Sequence, residues 1–153
     1  MKTNFKHYFK NQGATIEQEI DSIFQLLVSQ LSEKSVVVIE RPSKGVSCKG
    51  VIIIYNRHEL KRQRNEQSAY ENALRAGQPK SSLIRPFKAK PVLMYAFYPD
   101  TVNPKRLGSV AIYGENVMAD HIRFKKGDSL FGRTIISVKV EMGIRPFLDV
   151  RLV

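Results

Sequence analysis

Apolar residues recur at helical spacing from Ile16 to about Ser32: Ile16, Ile20, Ile23, Phe24, Leu27 and Leu31 fall on one stripe. Thr15 with Gln18 three residues later forms a capping-box pattern, in which each side chain satisfies the other's free backbone donor. Glu17, Glu19 and Asp21 stand in the first turns, where the helix dipole favours negative charge. The pattern predicts an amphipathic helix whose stripe faces the core. Beyond it the period changes. Val36–Ile39 and Gly50–Tyr55 are β-branched runs joined by the turn-rich, basic stretch 41–49, which predicts a hairpin with a long loop.

Asn56 followed by Glu59 repeats the capping pattern and opens a second helix, Arg57–Ala76, with Gly77 at the expected stop. Its apolar face is poor. Leu60, Tyr70, Ala73 and Leu74 are interrupted by Gln63 and Gln67, and Arg57, Lys61, Arg64 and Arg75 load the remainder. Gln78–Lys90, with Pro79 and Pro86, reads as a linker or excursion. Val92–Tyr98 is continuously apolar, the mark of a central strand covered on both faces. Ser109–Tyr113 and Val117–Phe124 read as strands, and Lys126-Gly127-Asp128 as a turn. In Thr134–Glu141, Ile136, Val138 and Val140 alternate with polar residues. In Phe147–Val153, Leu148, Val150 and Leu152 do the same. These two form a hairpin with one buried and one wet face.

The order of elements does not alternate strand and helix enough for a doubly wound fold. The expected class is α+β: a mainly antiparallel sheet, curled or barrel-like, with an N-terminal amphipathic helix and a central basic helix. At 153 residues the chain is expected to form a single domain spanning 1–153. No apolar run has the ~18 residues of a membrane span. Met1–Lys10 lacks the apolar stretch of a secretory leader, so a cytoplasmic protein is expected. Cys48 is the only cysteine, which excludes an internal disulfide and a cysteine-based zinc site.

Charge sharpens this picture most. The chain holds 25 Lys and Arg against 14 Asp and Glu, a net +11. The net is −1 over residues 1–40, +9 over 41–90 and +3 over 91–153. A local excess of this kind attracts polyanions. The candidate nucleic-acid contacts are Arg41, Lys44 and Lys49 in the loop, and Arg57, Lys61, Arg62 and Arg64 in the helix. Lys80, Arg85, Lys88 and Lys90 follow in the linker. A second cluster, His121, Arg123, Lys125, Lys126 and Arg133, would extend the footprint if it shared a face with the first. Tyr55, Tyr70 and Phe87 lie within the basic stretch, as core or boundary residues or as stacking platforms for unpaired bases.

Enzyme signatures are sparse. Gly45-Val-Ser-Cys-Lys-Gly50 lacks the Lys-Ser/Thr ending of a phosphate loop, and His58-Glu59 lacks the second histidine of a zinc helix. His7, His58 and His121 are scattered, and no cofactor or metal is implied. The leading expectation is therefore a non-enzymatic protein that contacts the phosphate backbone of DNA or RNA. Two alternatives stand beside it. One is an interaction or inhibitor module docking on an acidic or nucleic-acid-binding protein. The other is a metal-free endoribonuclease using His58 or His121 with neighbouring cations.

Overall fold

Residues 14–42, 45, 47–115 and 123–153 are described in a computed structural model of the chain. The first helix, α1, spans Ile16–Gln30. Thr15 caps it through the reciprocal Thr15–Gln18 pair. Two strands follow, β1 (Ser35–Glu40) and β2 (Gly50–Asn56), and then a second helix, α2 (Arg57–Arg75). A single 3-10 turn at Lys80–Ser82 precedes β3 (Leu93–Pro99) and β4 (Leu107–Gly114). The chain closes with the two-residue β5 (Ser129–Leu130), β6 (Arg133–Glu141) and β7 (Phe147–Leu152). The Val117–Phe124 strand expected from the sequence falls largely on 116–122, outside the described residues.

All seven strands join one antiparallel sheet in the order β1-β2-β3-β4-β7-β6-β5. The sheet curls into a half-barrel. Phe131, just past β5 at the far edge, packs edge-on against Tyr95 in β3 at 5.2 Å between ring centroids. The concave side holds α1. Ile16, Ile20, Ile23 and Leu27 meet Ile52 and Ile54 of β2, Phe97 of β3, Val110 and Ile112 of β4, and Leu148 and Val150 of β7. Each fully buried side chain of this kind contributes about 1.5–3 kcal/mol. The helical stripe read from the sequence is thus core packing.

Two local features fix this geometry. Gly108 has no room for a side chain, because a Cβ there would stand 2.4 Å from the Asp100 backbone. In β6 the register shifts between Ile135 and Ser137, and the consequence corrects the alternation expected above. Ile135 enters the core, while Ile136 is 42% exposed. A bulge adds one residue to one strand and so exchanges the faces on either side of it. Val138 and Val140 resume the inward pattern, and on the wet face Lys139 stands opposite Asp149.

Candidate nucleic-acid interface

The strand directions sort the basic residues by position. β2 ends at Asn56, where α2 begins, and β3 starts beside that end, with Val92 N–H donating to Ile54 O. Residues 57–92 therefore form an arm that leaves and rejoins the sheet at one end of two paired strands. The 41–49 loop precedes β2 and lies at the opposite end. The run of β2 between them is about 20 Å. The segment 41–90, continuous in sequence, is split in space. The 125–128 turn leads into β5 and the start of β6, which lie at the loop's end of the strands. Lys125, Lys126 and Arg133 of the second basic cluster accordingly do not extend the arm's footprint.

The arm has its own internal construction. Its helix is 19 residues long, about 28 Å, and no residue of it is buried. The Asn56 side chain caps it by accepting from Glu59 N–H at 3.2 Å. Gly77 takes the left-handed conformation (φ 86°) that ends it. The chain then returns along the helix. Glu66 accepts the Phe87 N–H at 2.9 Å, and Gln63 accepts the Ala89 N–H at 2.8 Å. The expected linker is thus a segment without regular secondary structure beyond its 3-10 turn, called the return strand below for its course alone, fastened to α2 by two side chains. The glutamine that interrupts the apolar seam in the sequence is one of the fasteners. Glu66 also accepts from Arg62 Nε at 2.6 Å, and the Arg62 guanidinium lies 4.0 Å from the centre of the Phe87 ring. The Arg62 bond and the Phe87 N–H hold the Glu66 carboxyl below the usual carboxylate range.

The predicted cations fall into distinct settings. Arg57 turns back from the helix start to donate to Glu33 O at 2.6 Å and Ser35 O at 3.4 Å. A cation in a helix's first turn opposes the dipole, and these two carbonyls give the Arg57 charge acceptors outside the helix. Arg62 braces the arm. Arg41 pairs with Asp21 at 3.0 Å. Lys61, Arg64, Arg75, Lys80, Arg85, Lys88 and Lys90 are exposed and make no ion pair among the described residues. Lys49, Arg123, Lys125 and Lys126 are exposed away from the arm. Lys44 and His121 lie outside the described residues.

Arg133 is no surface cation. It is buried and donates to Glu19 Oε1 at 2.5 Å, to Leu107 O at 2.6 Å and to Val153 O at 3.0 Å. This one side chain ties α1, β4 and the final residue to β6. Glu19, only 1% exposed, is its partner rather than a surface charge answering the helix dipole. Its second oxygen and the nearby Arg106 Nε are buried with no hydrogen-bond partner among the described residues. Burial raises the Glu19 carboxyl, outweighing the attraction of Arg133 and Arg106.

Other chemistry finds little support in the geometry. His58 and Glu59 are both exposed on the first turn of α2. Cys48 is buried, and burial pushes its thiol up, away from a reactive thiolate. Among the described residues, no group of three His, Cys, Asp or Glu is placed to hold a metal ion. No described helix is long and apolar enough to cross a membrane. Comparison with known proteins returns no match: no family model, no curated sequence and no solved structure resembles this chain closely enough to assign it.

Proposed function

We propose that this chain binds nucleic acid through phosphate contacts made by the arm at 57–92. One observation carries the reading. An exposed helix and its return strand hold nine basic and three acidic residues, and most of the cations have no ion-pair partner among the described residues. Chains seldom spend 36 residues on a segment that contributes so little to a core. A phosphate backbone is a polyanion that exposed cations on a helix and the segment beside it can contact without reading sequence. The exposed apolar side chains give no comparable support to a protein-docking alternative. They are dispersed over α1, α2, the return strand, β6 and several turns. The ribonuclease alternative rests on His58 alone among the described residues.

The test is fluorescence anisotropy with labelled DNA and RNA, stepped through salt, with the probes checked for cleavage. Six arm cations on phosphates give a slope of log K against log salt near −5 for duplex DNA and near −4 for a single strand. Reversing Lys61, Arg64 and Lys88 to Glu should weaken binding to every sequence alike and reduce the slope by about 3. Arg62 is left in place because it braces Phe87. Reversing Lys49, Lys125 and Lys126 instead should cost much less. Equal losses from the two triple variants would show that net charge, not the arm, does the binding.

A further inference from the structure

An open groove of about 560 Å³ runs between α2 and the return strand. That is within the roughly 300–1,000 Å³ of sites that take small ligands. Its lining includes Gln63, Arg64, Gln67 and Ser68 from the helix, and Phe87 and Lys88 from the strand. Each group arrives with part of its bonding already committed. Gln63 Oε1 holds Ala89 N–H, which leaves its amide NH2 as a donor. Gln67 Nε2 donates to Glu71 Oε1 at 3.1 Å, which leaves its carbonyl oxygen as an acceptor. The Phe87 ring is braced by Arg62, and its own N–H is fixed by Glu66, so its plane is held in position before any ligand arrives. Arg64 and Lys88 flank the groove from its two walls, both exposed and without ion-pair partners among the described residues.

A braced aromatic ring, one donor, one acceptor and a cation on each wall match the parts of a nucleotide: a flat base with a polar edge, and a phosphate. A duplex hides its base faces, and only an unpaired strand presents them. We infer that this groove seats an unpaired base of single-stranded nucleic acid, with Phe87 as the stacking surface, Gln63 and Gln67 at the base edge, and Arg64 and Lys88 on the adjoining phosphates. The inference rests on the phosphate-binding reading above and adds the strandedness of the ligand. It also gives the braces a purpose: Arg62 and Glu66 serve the ring that serves the base.

The experiment measures affinity for a short single strand without self-complementarity, as DNA and as RNA, and for the matching duplex. Phe87→Leu keeps an apolar side chain under Arg62 but removes the stacking surface. Ser68→Leu leaves Phe87 intact and fills the groove from the helix side. Circular dichroism of both variants reports whether α2 is retained. The expected result is a preference for single strands in the parent protein and a loss of about tenfold or more in single-strand affinity in both variants, the scale of one stacked base. Duplex affinity and the salt slope should stay unchanged. Equal affinity for single strand and duplex, unchanged in the variants, would overturn the groove while leaving the phosphate reading intact. No salt-sensitive binding to any probe would overturn both.

Discussion

Replacing Arg133 by Met tests the account of the core most severely. The substitution keeps the length of the side chain's stem and removes three donated bonds, to Glu19, Leu107 O and Val153 O. The larger effect is what it leaves behind. The Glu19 carboxyl stays inside, with one oxygen already unpartnered among the described residues. Removing one member of a buried pair typically costs about 3–5 kcal/mol, mostly through the charge that is left unpaired. In a chain of this size that is a fall in Tm of about 6–20 °C. Replacing Glu19 by Leu as well removes the stranded charge, so the double variant should recover part of the loss.

Acidity offers a second readout of the same substitution. Burial already raises Glu19 above its ordinary value of 4.5. Without Arg133 to oppose that, the folded-state value rises further. A group with a raised folded value favours the fold fully below its unfolded value, and this contribution is lost as pH rises through the folded value. The Arg133→Met variant should therefore be relatively more stable near pH 4.5 than at pH 7. Urea denaturation across this range, on the parent, both single variants and the double variant, completes the cycle. A loss below about 1 kcal/mol for Arg133→Met, or strict additivity in the double variant, would refute the view that this pair holds α1 to the sheet.

Two further outcomes follow from other places in the fold. Gly108→Ala sets a methyl group against the Asp100 backbone and should destabilise the sheet enough to be read as a lowered urea midpoint; an unchanged midpoint would mean the 100–106 turn moves freely away. The Glu66 fastening should weaken in acid. Its depressed folded value makes its contribution full above about pH 4.5, and that contribution is lost as pH falls through the folded value. Amide exchange at Phe87 and Ala89 should then accelerate in Glu66→Gln at neutral pH, while exchange in β3 and β4 stays as it was.

Much of the scaffold is legible from local pattern because its causes are local. The stripe from Ile16 to Leu27, the Thr15–Gln18 box, the Asn56 cap and the Gly77 stop each act within a few residues, and each appears where the sequence places it. The terminal hairpin follows from its period of two, except at Ile136. There a single bulge, which no periodicity announces, reverses the faces. The Glu19–Arg133 bond joins residues 114 positions apart and is invisible to spacing. A glutamate in a first turn and an arginine in a basic cluster both have ready surface explanations. What would have raised suspicion is the position of Glu19, next to Ile20 on the buried stripe. The division of the basic stretch between two ends of the sheet needs the strand directions, and charge counted along the chain cannot supply them. The roles of Gln63 and Glu66 were obscured for a related reason. Polar residues on a weak helical face look like a lack of packing until the strand they hold is seen.

The arm begins and ends on neighbouring strands, one hydrogen-bond spacing apart, where a tight turn would close the sheet as well. The residues that hold the fold and those proposed to bind therefore form almost separate sets. Mutations in the sheet are filtered by stability, whereas exposed positions of the arm are free to drift, lengthen or change charge at little thermodynamic cost. A scaffold arranged in this way can acquire a new ligand preference while keeping the same core, and its relatives should differ most where this chain does its proposed work.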